Sequence, residues 1–537
     1  MTSDEPEDDE PTEPDDEQQP EDNGEEPEET AESASVNATL RYVSGNTNVV
    51  GQDMWQTVNN IVINVRKEDA NRLLRELERD RKPKRPPPPP DAPKIDQVRH
   101  WFEELPDDRR RCYALTLAIF NGVKFSDYTS LREKIAAGLG VRPGKDEPPP
   151  SPFARATGEE IDGKVEMIRD GDQPDLIIRF KDEEYVAALF ELLRRPDGYP
   201  DVALRLLRLL RDIGIEFHAW EIRVRAAEAA ADLGQLTFHY LRREVLDVWA
   251  GDERTYVRAT AGYPLRRLAE GDVCRDQTLA LLGEWSRPGR DLPGPEWRYR
   301  WAAASAYKQI GNIDQPWASP AAINGLRELA GNGHIAVVNA VIHSLLVHSL
   351  SGRTQMNNVL LALKQWIEEG SRGDRRNPAP QNRCLTGILA LMLIADVHLA
   401  LAANVRDGNI TDVPSANLFD LVREGEINRG DFWQLMIAAG VRSFEFQKIP
   451  GFFWLIERWS EYIADDAALS GTIVRLIVDV YQALQPDKYR PRLFTRLERW
   501  ERQTKNRDLS ACATRAREKI LRGEWTTTTG GRIVFGG

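Results

Sequence analysis

Four segments of similar sequence recur along the middle of this 537-residue chain. They read "IRVRAAEAAADLG" from Ile222, "VRATAGYPLRRLA" from Val257 and "YRWAAASAYKQIG" from Tyr299, with a weaker copy from Val337. Each of the first three begins with an apolar residue and an arginine, and the starts lie 35, 42 and 38 residues apart. That period is about the length of two packed helices with their turns. The repeat predicts a row of helix pairs, because one pair cannot bury its apolar stripe alone.

The small residues of the repeat indicate how closely its helices approach one another. Alanine stands at the fifth position of the three clear copies, at Ala226, Ala261 and Ala303. The pattern resembles the "VRxxAAxALxxLG" helix of HEAT-repeat proteins over about residues 185–350, and the resemblance implies an α-solenoid. Pro264 departs from the pattern and predicts a kinked or shortened helix. An irregular helical bundle with coincidental spacing is the alternative interpretation.

Amphipathic helical patterns separated by Gly, Pro and charged runs predict an all-α fold. The expected architecture is a HEAT/armadillo-like α-solenoid preceded by shorter segments. The expected segments are a disordered acidic tail (1–38), a β-prone assembly motif (39–66), a charged helix with a proline-rich linker (67–94), a small helical module (95–140), a second proline-rich linker (141–156), a short β-hairpin with HEAT-like repeats (157–380), a C-terminal helical region (381–525) and a tail (526–537). The hairpin is expected because two strand-like runs flank a polar turn at Asp170 and Gly171.

The segment "HWFEELPDDRRRCYALTLAIFNGVKFSDYTSL" predicts helices, with Asp107 as an N-cap. It is similar to helical segments beside the nucleotide-binding core of STAND-type, NLR-like signalling proteins. The chain holds no GxxxxGK(S/T) phosphate loop, so the resemblance does not extend to an ATPase.

Charge is distributed unevenly along the chain. Residues 1–40 hold seventeen Asp and Glu and no Lys or Arg, so the net charge of −14 leaves about +3 for all other residues. Such an acidic, proline-rich segment cannot bury enough apolar surface to offset its ordering entropy. We expect it to be disordered.

The spacing of the cysteines and the hydropathy of the chain indicate its cellular compartment. The four cysteines are each more than one hundred residues from the next, which predicts no disulfide framework and no zinc site. The N-terminal residues contain no apolar segment of the signal-peptide type. The apolar run from Cys384 is interrupted by Asp396 and His398, short of the roughly twenty residues that a membrane span needs. We expect a cytoplasmic protein without a membrane segment.

One β-prone stretch precedes the helical region. "GNTNVVGQDMWQTVNNIVINV", residues 45–65, is rich in β-branched and amide side chains and holds one charge, Asp53. Such composition suits in-register stacking between chains. The residues expected to carry this assembly are Asn48, Val49, Val50, Gly51, Gln52, Ile61 and Ile63. A strand that docks onto the chain's own helical module and a segment without ordered structure remain the alternatives.

The same stretch resembles the amyloid-signalling motifs of bacterial multidomain proteins, which are comparable to the RHIM motif. Val49, Val50 and Gly51 match the β-branched and glycine positions, while Gln52 follows the glycine instead of preceding it by two. The resemblance implies recruitment of a partner by templated β-stacking.

Catalytic and ligand-binding signatures are sparse. The sequence has no HExxH and no GxSxG motif, and His343 and His348 are five residues apart, which predicts one core and one surface histidine rather than zinc ligands. We therefore expect no catalytic residues, metal site or cofactor. Trp297, Arg298 and Arg300 form a basic-aromatic cluster that marks a candidate partner surface.

These observations predict a non-enzymatic scaffold of bacterial signalling or defence. The solenoid would bind a protein partner, and the β-prone motif would mediate homotypic assembly. A nucleic-acid-binding solenoid that uses Arg298 and Arg300 is the second interpretation.

Overall fold

Helices make up nearly all of the regular structure in the part of the chain that the structure describes, which confirms the all-α class. The structure is a computed structural model, and it describes residues 88–89, 91–141, 163–170, 173–287, 294–370, 377–406, 429–445, 451–461, 467–503 and 505–524. The predicted acidic tail, the β-prone motif and the tail at 526–537 lie outside these residues, as do most of the two proline-rich linkers.

The first described elements are three helices followed by a two-stranded antiparallel hairpin. They are α1 (Lys94–Glu104), α2 (Asp108–Ile119), α3 (Phe125–Gly138), β1 (Gly163–Asp170) and β2 (Gln173–Phe180). Asp107 caps α2 as expected, because its side chain accepts a hydrogen bond of 2.7 Å from the backbone N–H of Arg110. The two strands pair antiparallel about the predicted turn.

The hairpin packs against the helical module that precedes it in sequence. The carbonyl of Ile178 accepts from the N–H of Gly122 at 2.8 Å, and the N–H of Ile178 donates to the carbonyl of Val123 at 3.2 Å. The rings of Trp101 and Phe180 lie 6.0 Å apart, edge to face. Strand β2 is therefore held by α1, α2 and the loop before α3, although the sequence grouped the hairpin with the repeats.

The helices that follow hold the repeats. They are α4 (Glu184–Arg194), α5 (Pro200–Glu216), α6 (Trp220–Gly234), α7 (Phe238–Leu241), a π-helical turn (Arg242–Leu246), α8 (Asp247–Gly251), α9 (Thr255–Thr260), α10 (Gly262–Glu270), α11 (Arg275–Ser286), α12 (Glu296–Ile310), α13 (Ala318–Ala330), α14 (Ile335–Leu350) and α15 (Arg353–Glu369). The repeat copies lie on α6, on α9 with α10, on α12 and on α14.

Proline divides the second copy, as expected. Pro264 has no N–H to donate, and its ring would clash with the carbonyl of Thr260, four residues earlier. Helix α9 ends at Thr260, and α10 begins at Gly262.

The C-terminal helices are α16 (Ala379–Arg406), α17 (Arg429–Glu445), α18 (Gly451–Ser460), α19 (Ala467–Ala483), α20 (Arg490–Glu501) and α21 (Arg507–Arg522). Helix α16 contains the apolar run from Cys384. No helix among the described residues combines the length and the apolar character that a membrane crossing requires.

Two series of helices contact one another in chain order. One series runs α4, α6, α10, α12, α14, α16, α18 and α21, and each helix packs on the next. The other runs α11, α13, α15, α17 and α19 in the same way. The repeat positions face these contacts, since Ala226, Ala261 and Ala303 are all fully buried. The packing order thus continues from the repeats through the C-terminal helices.

Two histidines are buried where α14 meets its neighbours. His348 is the core histidine expected from the sequence, and its ring lies so close to Gly311 that a Cβ at Gly311 would stand 1.7 Å from its Cε1. His398 on α16 is also fully buried, with its Nε2 3.3 Å from the Ser349 hydroxyl. Burial lowers the pKa of both imidazoles to about 4.

This burial predicts a loss of stability at acid pH. Both histidines have a folded-state pKa below the ordinary 6.5, so the unfolded chain takes up protons first as the pH falls. The stabilisation is complete above pH 6.5 and is lost as the pH falls through 4. Between pH 7.5 and pH 5 we expect each histidine to account for a loss of about 2 kcal/mol in the free energy of unfolding.

Urea unfolding at the two pH values measures this loss. His348→Leu should remove about half of the loss assigned to the two histidines, and His239→Gln, at an exposed position, is the control substitution. Equal pH dependence in wild type and His348→Leu would contradict the assignment.

Candidate interaction surface

The predicted partner-surface residues Trp297, Arg298 and Arg300 lie in the first turn and a half of α12. Arg298 donates from Nη1 to the carbonyl of Gly251 at 3.0 Å. Arg300 is buried and donates from Nη2 to the Glu296 carboxylate at 2.7 Å. Trp297 stacks on His334 with ring centroids 5.1 Å apart and planes 7° from parallel. The structure brings the three residues together, but all three make contacts within the chain.

A third arginine holds this cluster together. Arg258, the second residue of the preceding copy, is only 4% exposed. Its guanidinium lies between Trp297 and Trp301, 4.9 and 5.1 Å from the two ring centroids. Its Nη1 donates to the carbonyls of Asp252 and Glu253, at 2.8 and 2.7 Å. Burial, together with the charge of Arg298, lowers the pKa of Arg258.

The preceding copy repeats this contact. Arg223 lies 4.9 Å from the ring centroid of Tyr256 and donates from Nη1 to the Tyr256 carbonyl at 2.6 Å. The second-position arginine of one copy therefore packs on an aromatic ring at the start of the next copy. We call Arg223, Tyr256, Arg258 and Trp297 the arginine–aromatic edge. Its function in the fold is to link consecutive copies, because a planar guanidinium stacks on rings while its N–H groups bind carbonyls.

The opposite ends of the repeat helices expose apolar side chains. Leu236, in the turn after α6, is 67% exposed, and Val273, in the turn after α10, is 76% exposed. The Cys274 thiol, 3.3 Å from the carbonyl of Gln235, holds these two turns together. In the next turn Trp317 lies under Arg275, 4.7 Å from guanidinium carbon to ring centroid. We call Leu236, Val273 and Trp317 the apolar turn edge.

A groove of about 360 Å³ runs between α11 and α13. Tyr307 of α12 lines it, next to Gly325 of α13, where a Cβ would stand 2.1 Å from the tyrosine ring. Arg327 and Glu328 add opposite charges, and Arg327 is paired with Glu369 at 2.5 Å. The groove is a polar-rimmed cleft between neighbouring repeats.

The residues predicted to form the assembly motif have no described position. Asn48, Val49, Val50, Gly51, Gln52, Ile61 and Ile63 all lie outside the described residues. Within the described ranges, no cluster of three or more His, Cys, Asp or Glu side chains is placed to hold a metal ion.

Comparisons with known proteins assign no family. No model of a known protein family matches the chain, and no curated protein matches it. Among solved structures the chain is similar to an engineered protein determined by the Northeast Structural Genomics Consortium, with 12% identity and a TM-score of 0.23 over 84% of this chain and 99% of the other. So low a score carries no argument about fold or function.

The arginine–aromatic edge predicts a specific cost for a conservative substitution. Arg258→Lys keeps the charge but loses the planar stack between two rings and the fork of donors. We expect the free energy of unfolding to fall by about 1–3 kcal/mol, measured by urea titration with circular dichroism.

The matched control is Arg266→Lys, because Arg266 is more exposed and makes an ordinary helix-surface pair with Glu270 at 3.0 Å. That change should stay within about 0.5 kcal/mol. If Arg258→Lys were as stable as the control, the assignment of a linking function to Arg258 would be wrong.

Proposed function

We propose that this chain is a non-enzymatic cytoplasmic scaffold of bacterial signalling or defence, built on a HEAT-like α-solenoid. One surface of the solenoid binds a protein partner, and the stretch around residues 48–63 mediates homotypic assembly. The observation that carries the proposal is the packing order of the two helix series between α4 and α21, in which each member packs on the next member of its series.

A second repeated pattern supports the extension of the solenoid beyond residue 350. A Leu or Ile followed three residues later by Trp recurs five times in helical segments, at Leu246–Trp249, Leu282–Trp285, Leu363–Trp366, Ile456–Trp459 and Leu497–Trp500. Every one of these ten side chains is buried. Residues three apart share one helix face, so each pair anchors its helix to its neighbours. Three of the pairs lie after residue 350.

Linking contacts between neighbours also support the proposal. The Trp285 Nε1–H donates to Asp247 at 3.1 Å, and the Trp500 Nε1–H donates to Glu457 at 2.7 Å. These bonds join residues 38 and 43 positions apart, about one repeat period. Contacts at sequence separations close to one period are what a tandem array produces.

The partner is proposed to bind at the apolar turn edge. Leu236 and Val273 are 67% and 76% exposed, so burying them against a partner would remove apolar surface from water. The thiol contact of Cys274 holds their two turns together. The arginine–aromatic edge is less suited to a partner, because its guanidinium groups already bind carbonyls and rings of the chain. For the same reason Arg298 and Arg300 add no support to nucleic-acid binding at α12.

Substitution at the apolar turn edge tests the partner surface. The full chain with Leu236→Asp and Val273→Asp should capture its partner several-fold less than wild type in a cross-linking pull-down read by mass spectrometry. The control is Val248→Asp with Leu361→Asp, which changes two exposed apolar residues elsewhere, 38% and 59% exposed. Equal loss of the same cross-linked protein in both variants would remove this edge as the binding surface.

Assembly is tested separately at the β-prone motif. A peptide of residues 40–65 should form thioflavin-positive fibres, and Val50→Asp or Gly51→Pro should abolish them, because a buried charge or a missing backbone donor breaks an in-register stack. In the full chain, Val50→Asp should lower the mass measured by light scattering.

The control for the full chain is Val36→Asp, the same substitution in the acidic tail, which should leave the mass unchanged. A peptide that stays monomeric at high concentration would contradict homotypic assembly while leaving the partner surface untouched.

A further inference from the structure

The outer face of α20 is a row of arginines. Leu493, Leu497 and Trp500 form the buried face of this helix. Arg492 and Arg499, seven residues apart, lie on the opposite face, and Arg502 follows at the helix end. At 100° per residue these three side chains fall within one quarter of the helix circumference.

The turn into α21 extends the row. Lys505 lies in this turn and Arg507 is the first residue of α21, and both are exposed, as are Arg492, Arg499 and Arg502. We call these five residues, Arg492, Arg499, Arg502, Lys505 and Arg507, the basic stripe.

Three nearby carboxylates pair with cations outside the stripe, among them Glu498 with Arg517 at 3.9 Å, and a fourth, Asp508, adjoins Arg507. Glu457 pairs with Arg496 at 2.5 Å, and Glu501 pairs with Arg517 at 2.7 Å. Within the described residues no ion pair involves a member of the basic stripe. The stripe thus carries positive charge that its surroundings do not neutralise.

The local charge is far from the chain average. Residues 487–524 contain twelve Lys and Arg against six Asp and Glu, whereas all residues after 40 together carry only about +3. The last thirteen residues add Arg532 and no acidic residue. An uncompensated basic surface of this kind attracts a polyanion.

We propose that the basic stripe binds the phosphate backbone of a nucleic acid, without selecting its sequence. Four of its five members are arginines, whose planar guanidinium groups bind phosphate oxygens in pairs. The ten steps from Arg492 to Arg502 correspond to a rise of about 15 Å along the helix axis. A nucleic-acid strand presents a phosphate about every 3.4 Å of duplex axis, so this length faces about four phosphates.

An anionic membrane fits the stripe less well. A helix that lies on a membrane inserts an apolar face beside its basic one. The apolar face of α20 is already buried in the protein, and the residue between the arginines of the stripe is Thr495. The geometry is that of a charged ridge on a rigid helix.

The test uses the full chain and a fluorescein-labelled 20-base-pair DNA duplex, followed by fluorescence anisotropy between 50 and 200 mM NaCl. Wild type should bind at 50 mM NaCl, with an affinity that falls steeply as salt is added. Arg492→Gln, Arg499→Gln and Arg502→Gln together should weaken binding at least tenfold at 50 mM. They should also reduce the slope of log K against log salt by about 2.7, or about 0.9 for each lost phosphate contact.

A control of equal charge loss replaces Arg208, Arg225 and Arg267, which are half-exposed and pair with Glu244, Glu228 and Asp232. This triple Gln variant should keep the wild-type slope. Circular dichroism establishes that both variants are folded, and a single Arg499→Glu chain serves if the triple variant is not.

Three outcomes would overturn the proposal. They are no anisotropy change with wild type at 50 mM NaCl, an equal loss in both triple variants, and binding to phosphatidylserine vesicles without binding to the duplex. The last would identify a membrane surface as the anionic partner. None of these outcomes depends on the assembly motif or on the apolar turn edge, so the scaffold proposal is tested independently.

Discussion

The close approach of helices at buried alanines is the constraint on which the rest of the structure depends. Ala226, Ala261 and Ala303 are fully buried, and α6, α10 and α12 of these copies pack on one another in chain order. A methyl side chain lets two backbones come together, and a larger one would force them apart. Once these helices are in contact, their second-position arginines come within reach of the aromatic residues of the next copy, and the turns at the other end are stacked one above another.

The close approach of these helices changes the interpretation of the basic-aromatic cluster at α12. In sequence, Arg298 and Arg300 beside Trp297 have the composition of a nucleic-acid contact. In the folded chain, Arg258 of the preceding copy fills the space between Trp297 and Trp301, and the aromatic faces serve the protein itself. The residues that carry uncompensated positive charge lie elsewhere, on α20 and the turn after it. Their signal in the sequence was the excess of Lys and Arg in residues 487–524, which the near-neutral average of the folded region conceals.

A second signal was present in the sequence but is harder to see than the alanine repeat. Leu or Ile three residues before Trp marks five helices, and Trp285 and Trp500 bond to acidic side chains about one period away in the chain. The copies are far apart and share only two residues, so a comparison of adjacent segments does not reveal them. Burial does, because Trp249, Trp285, Trp366 and Trp500 are among the largest fully buried side chains.

The sequence by itself determined the helical class, the positions of the repeat copies, the break before Pro264, the Asp107 cap and the hairpin about Asp170. Each of these follows from local backbone preference or from the period of apolar residues, which neighbours in the chain carry. Only the tertiary structure decided that the hairpin packs on the preceding helices, that Arg258 is held between two tryptophans, and that the basic stripe is exposed with no ion pair among the described residues. These outcomes depend on residues about forty or more positions apart meeting in space, and no local pattern encodes which side chains such a meeting buries.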